Sequence, residues 1–185
     1  PNKITPQLIQ KKQDQLETVP DNRIGVLLGG EDPYYTISGK TASTLLDTLA
    51  QVSEESGGQV SLTTSRRTPE EVEEMVEKSL SNTNRTALLV TSSIGTDIPE
   101  PVETIFATCE IIIVTEDSLS MVCEAASSGR KVVILEVDRK TGKPHKRENT
   151  YQSIMEVAPV VKCSVNELKI TLLSEIGRPP KKEAL

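Results

Sequence analysis

The chain has no tryptophan, one phenylalanine, three tyrosines and a single histidine in 185 residues. Phe106, Tyr34, Tyr35 and Tyr151 are all it can offer as aromatic anchors, so a docking surface of the usual aromatic kind has little to draw on. His145 stands alone in a polar stretch, which leaves a Ser-His-Asp triad or a histidine metal site without support. Cys109, Cys123 and Cys163 are odd in number, widely spaced and set among apolar residues. That argues against a disulfide framework and a zinc site, and it predicts buried thiols. No apolar run approaches the roughly 20 residues that cross a bilayer, and no charged, apolar and small-residue leader opens the chain. The net charge of -6 comes without a block of like charge, so neither a nucleic-acid footprint nor a membrane-surface patch is indicated. The expectation is a cytoplasmic protein with no resident cofactor, no metal and no nucleic-acid partner.

What is present is an alternation of short buried strands and helices. Residues 110 to 135 organise the rest. Ile111 to Val114 is a β-branched run too short for a buried helix, as expected of a strand covered on both faces of a parallel sheet. Ser118 or Ser120 can cap the helix that follows, Gly129 suits the left-handed position past its end, and Lys131 to Leu135 begins another buried strand. Ala125, Ala126, Ser127 and Ser128 keep that helix slim, so it can lie close to the sheet. Upstream, Ile24 to Leu28 runs as a first strand into Gly29-Gly30. Ser38 opens a helix that Gly57-Gly58 ends, and residues 59 to 65 form the second strand. Thr68-Pro69-Glu70-Glu71 is a start signal with a Thr cap and Pro at the first helical position. A third strand is expected at Ala87 to Val90 and a weak helix at Val102 to Thr108. Residues 138 to 147 are predicted as a polar surface loop, followed by a helix from about Thr150, a strand at Val160 to Cys163 and a helix from Val165 to Ile176.

This order predicts an α/β fold with a doubly wound, Rossmann-like parallel sheet in the strand order 3-2-1-4-5-6. Residues 1–22 are expected to form a helix and linker, residues 23–178 the Rossmann-like domain, and residues 179–185 a polar tail. In that order the first and fourth strands are neighbours, and a crevice opens between the turns that follow them. Gly29-Gly30 and Asp117-Ser118 then lie on opposite lips of one cleft.

The helix starting near Ser118 offers unpaired amides and the positive end of its dipole, where a phosphate or diphosphate can sit. The competing reading is that Ser118 and Ser120 only cap the helix. Glu124, one to two turns on, can reach a ribose diol through two acceptor oxygens; the plainer alternative is a surface carboxylate. Gly29-Gly30 lacks the third glycine of the dinucleotide fingerprint and is equally a tight turn. Arg66 and Arg67 follow the second strand, where a guanidinium can neutralise a diphosphate or stand in solvent.

Three blocks, Val26-Leu27-Leu28-Gly29-Gly30, Thr63-Thr64-Ser65-Arg66-Arg67-Thr68-Pro69 and Val114-Thr115-Glu116-Asp117-Ser118-Leu119-Ser120-Met121-Val122-Cys123-Glu124-Ala125, resemble the mitochondrial fission Elm1-like family in order and spacing. The resemblance covers roughly residues 4 to 136. That family is similar to GT-B glycosyltransferases and nucleotide-sugar epimerases, two Rossmann-like domains facing across a cleft, and this chain resembles the C-terminal half. The resemblance implies a nucleotide diphosphate sugar as substrate. It would be held by Gly29, Gly30, Ser118, Ser120 and Met121, with Glu124 on the ribose and an N-terminal GT-B domain upstream; Arg66, from its position after the second strand rather than from the resemblance, is a candidate to stabilise the diphosphate as it leaves. It also implies an alternative, a non-catalytic adaptor that recruits a dynamin-like GTPase in mitochondrial fission, peripheral at the mitochondrial outer surface in a eukaryote. The chain departs from the family between residues 93 and 101, where the family's tryptophan block is missing, and at Glu116, which stands in place of a commonly small residue and is expected to crowd a diphosphate.

Overall fold

The computed structural model describes residues 23–81, 83–92, 100–140 and 147–176, together with Gln7. The expected helix and linker at residues 1–22 and the polar tail lie outside the described residues. The elements are β1 (Ile24–Leu28), β2 (Tyr35–Thr36), α1 (Gly39–Ser56), β3 (Val60–Thr64), α2 (Glu70–Leu80), β4 (Thr86–Val90), α3 (Pro101–Thr108) and β5 (Ile111–Thr115). There follow α4 (Leu119–Ala126), β6 (Lys131–Leu135), β7 (Asp138–Arg139), α5 (Arg147–Val157), β8 (Val160–Cys163) and α6 (Leu168–Glu175).

Six strands form one parallel sheet in the order β4-β3-β1-β5-β6-β8, which is the predicted doubly wound arrangement. Every residue of β1, β5 and β6 is buried, because helices cover both faces of the sheet. Alternate side chains divide the core. Val26, Ile113 and Val133 pack with Leu45, Leu49, Val72 and Leu168 from α1, α2 and α6. Leu27, Ile112, Val114 and Ile134 pack with Phe106, Val122 and Tyr151 from α3, α4 and α5. Burial of these apolar side chains is the main stabilising term, at about 25 cal/mol for each square ångström withdrawn from water.

Local signals act as expected at α1. The Ser38 hydroxyl accepts from the Thr41 amide at 3.2 Å, and Gly57 ends the helix at a φ of 69°, a left-handed conformation that glycine adopts without Cβ strain. At α2 the reading needs correction. Pro69 occupies the cap position without a side-chain hydrogen bond, and the Thr68 hydroxyl instead donates to the Gly29 carbonyl at 2.5 Å and accepts the Ser65 amide at 3.0 Å. Thr68 ties the turn after β3 to the end of β1.

The stretch predicted as a polar loop is also different. Asp138–Arg139 pairs antiparallel with Tyr35–Thr36, and α5 begins already at Arg147. Tyr35, Tyr151 and Phe106 are buried in the core, so of the four aromatic residues only Tyr34 is exposed, at 43%. Cys109 and Cys163 are buried as expected and burial pushes both thiols up, whereas Cys123 is exposed on α4.

Candidate functional site

The carboxyl ends of β1, β3 and β5 lie side by side at the edge where the cleft is expected, because β1 sits between β3 and β5 in the sheet. The predicted lips meet at its base. The Gly29 amide donates to Thr115 Oγ1 at 2.8 Å, and the Gly30 amide donates to Asp117 Oδ2 at 3.0 Å. A Cβ on Gly29 would run into the Asp117 carboxylate, and one on Gly30 into the backbone of Arg67, so both positions require glycine for close approach. Their amides are taken up inside the protein. What the pair lends the cleft is its shape.

Asp117 is the centre of this base, a role its position in the sequence did not reveal. Its side chain is fully buried, and Arg67 Nη2 meets the same Oδ2 at 3.0 Å while Arg67 Nη1 donates to the Glu31 carbonyl. Arg147 Nη1 reaches the Asp117 carbonyl at 2.6 Å and Asp32 Oδ2 at 3.0 Å, joining α5 to the loop after β1. One carboxylate thus links turns that are far apart in sequence. Arg66, the neighbouring candidate, is exposed and makes no ion pair among the described residues.

Above this base stands the start of α4. Ser118 is its cap residue in extended conformation, yet its hydroxyl makes no capping hydrogen bond. The first α4 amide with a backbone partner at this end is that of Val122, which donates to the Ser118 carbonyl at 3.0 Å. The amides of Leu119, Ser120 and Met121 have no partner among the described residues. Four orphan amides are the rule at a helix start, and with the dipole they form a locus of positive potential. Ser120 is exposed, while Ser118, Met121 and Glu124 are half-buried. The structure therefore brings Gly29, Gly30, Ser118, Ser120 and Met121 to one sheet edge, with Glu124 further along the same helix.

Glu116 does not intrude on this cleft, contrary to expectation. Its side chain is fully buried on the far side of the turn. Oε1 accepts the Val137 amide at 3.2 Å, and Oε2 meets Lys162 Nζ at 2.8 Å and Arg139 at 3.6 Å. The Tyr151 hydroxyl donates to the Glu116 carbonyl at 2.5 Å. Lys162 also binds Glu148 at 2.8 Å, and Arg139 binds Glu148 as well. Burial pushes the Lys162 ammonium down, but the two carboxylates outweigh it and hold it above its ordinary value. The residue after β5 is turned into the fold by a lysine from β8, a long-range partnership that no local pattern signals.

Residues 93–99, most of the stretch where the family's tryptophan block is missing, lie outside the described residues, as does His145. Among the described residues no cluster of His, Cys, Asp and Glu could hold a metal ion. A cavity of about 200 Å³ between α1 and α2, lined by Leu46, Asp47, Ser53, Leu80 and Arg85, includes none of the cleft residues.

The family described as mitochondrial fission ELM1 matches residues 1–175. The chain belongs to this family. Among curated proteins, the ELM1-family chain is 27% identical over 159 residues to the uncharacterized protein RP120 of Rickettsia prowazekii (strain Madrid E), across 86% of this chain and 43% of that protein. A solved structure assigned as a UDP-N-acetylglucosamine 2-epimerase from Listeria monocytogenes superposes with a TM-score of 0.60 at 13% identity, over 91% of this chain and 39% of that one. The S. aureus MnaA-UDP co-structure matches with a TM-score of 0.56 at 15% identity, over 92% and 39% of the two chains. At such identities the likeness is one of fold, and it is the Rossmann-like fold expected. The ELM1-family chain spans less than half the length of the curated relative and of these two structures. No helix among its described residues is long and apolar enough to cross a membrane.

Proposed function

We propose that this chain is the nucleotide-diphosphate-sugar-binding half of a GT-B-type, glycosyltransferase-like protein. The observation that carries the reading is the start of α4, where three successive amides and the hydroxyls of Ser118 and Ser120 have no partner among the described residues. They stand at the carboxyl edge of the sheet beside the β1–β5 boundary, where ligands bind in open α/β sheets. A diphosphate there accepts hydrogen bonds from the amides of α4 and both hydroxyls, and the same donors stabilise it as a leaving group. Met121 supplies the third amide, Glu124 accepts from the ribose diol, and Gly29 and Gly30 keep the floor low. Arg66 adds positive charge at the rim. The UDP in the S. aureus co-structure, a protein of the same fold, supports the choice of ligand class. Sugar transfer requires groups from the second domain of a GT-B pair, so the chain alone binds donor without turnover.

Calorimetric titration with uridine, guanosine, thymidine and cytidine diphosphates tests this reading. One of them is expected to bind, and Glu124→Ala is expected to weaken it by about 1 to 3 kcal/mol, the cost of a lost hydrogen bond to a charged group. No heat and no thermal shift with any of the four would sink it.

The family match favours a second reading, an adaptor that recruits a dynamin-like GTPase at the mitochondrial outer surface. Its aromatic anchor would have to be Tyr34, since Tyr35 is buried. Loss of partner pull-down with Tyr34→Ala, beside unchanged pull-down with Glu124→Ala, would support it.

A further inference from the structure

Resting on the donor-binding reading, we propose that Arg67 sets the specificity of this site for a diphosphate: it cancels the buried charge of Asp117 and presents its remaining donors to the ligand. Asp117 immediately precedes the α4 cap, its side chain is fully buried, and Oδ1 has no hydrogen-bond partner among the described residues. A bare carboxylate in that position opposes the positive end of the helix and repels an anion bound there. Arg67 meets Oδ2 at 3.0 Å and turns the charge into an ion pair. A guanidinium has five N–H donors, and Arg67 spends one on Asp117 and one on the Glu31 carbonyl. The other three have no partner among the described residues, and the side chain is 42% exposed. Phosphate oxygens are the acceptors that a planar fork of this kind matches best. Arg66, exposed in the same turn, has no ion-pair partner among the described residues to fix it in this way.

The probe is inorganic pyrophosphate, with uridine diphosphate in parallel, titrated calorimetrically into the whole chain at constant ionic strength. Arg67→Ala is expected to weaken pyrophosphate by at least about tenfold, the scale of a lost charge-assisted hydrogen bond. Arg85→Ala, at the opposite edge of the sheet, is expected to leave binding unchanged. Placing Asp117→Asn in the Arg67→Ala background removes the uncancelled charge and is expected to recover most of the loss. Undiminished binding by Arg67→Ala, or no recovery in the double variant, overturns the proposal. If Arg67→Ala fails to fold, as judged by its melting curve, Asp117→Asn alone decides. It keeps an acceptor for Gly30 and Arg67 while deleting the charge, so tighter pyrophosphate binding supports the assignment and weaker binding overturns it. Wild-type chain that binds neither pyrophosphate nor any nucleoside diphosphate removes the donor reading and this inference with it, a result distinct from a selective defect in the variants.

Discussion

Glu116 is a carboxylate cut off from solvent, and its tolerance in the fold depends on Lys162, whose side chain is itself only 11% exposed. Breaking a buried ion pair from one side leaves the other charge without compensation, which is far costlier than replacing both partners. Lys162→Met is therefore expected to lower unfolding stability by about 3 kcal/mol, the low end of the range for such pairs because Arg139 remains nearby. Adding Glu116→Gln to that variant is expected to return much of the loss. Urea denaturation of the two single variants and the double variant measures both; an additive double variant would show that the pair is not coupled. The same residue marks a limit of sequence reading. Glu116 was placed correctly at the end of β5, yet the direction of its side chain depends on a lysine 46 positions away in β8. Asp117 and Arg67 are legible as cleft residues from the sequence, but their pairing with each other is not, for a like reason. Their importance lies in joining two turns, whereas Ser118 and Ser120 stood out because helix starts have a local signature.

At the scale of elements, the loop after β1 and the segment from β7 into α5 are clamped together by charge. Arg147 pairs with Asp32, Lys140 with Glu31, and Asp138 accepts from the Ser38 amide and the Thr41 hydroxyl. Burial pushes the carboxyls of Asp32, Asp138 and Glu148 up, but the donors facing them prevail. These are the Tyr34 and Tyr35 amides with Arg147 for Asp32, Ser38 and Thr41 for Asp138, and Lys162 and Arg139 for Glu148, and all three groups end below the ordinary carboxylate range. A depressed value in the folded state means that the unfolded chain takes up protons first as pH falls. The stabilisation is thus complete above the ordinary value of about 4 and is lost progressively as pH drops through the folded values. Melting temperature is expected to hold steady near neutrality and fall below about pH 4. Arg147→Ala is expected to make that acid limb shallower; an unchanged limb would mean that Asp32 is not held by this cation. β2 and β7 escaped the sequence reading because each is two residues long and exists only through the other, across about 100 positions. The α1 boundaries were legible because Ser38 and Gly57 act on their own helix, whereas Thr68 had the residue type of a cap and a different use for its hydroxyl.

For the whole molecule, strand order was legible because alternating strands and helices leave few right-handed, doubly wound solutions. That topology placed the Gly29-Gly30 and Asp117-Ser118 turns together before any contact between them was seen. It also ties the described elements into one packed unit, although the chain covers only 43% of its curated relative and 39% of each of the two solved structures compared above. The six central strands present one apolar set to α1, α2 and α6 and the alternate set to α3, α4 and α5, so neither face can be exposed without losing strands that the other needs. Leu49→Ala on the first face and Phe106→Ala on the second each remove a side chain with no solvent exposure, and each is expected to cost about 3 kcal/mol. In urea both variants should show a single transition with a lowered midpoint and an unchanged slope, since the same surface is exposed when the shared sheet comes apart. Two separated transitions in either variant would mean that the layers unfold independently. The cleft would then lie across a soft boundary, because its floor is built from the ends of β1 and β5 while its donors come from α4 on the second face.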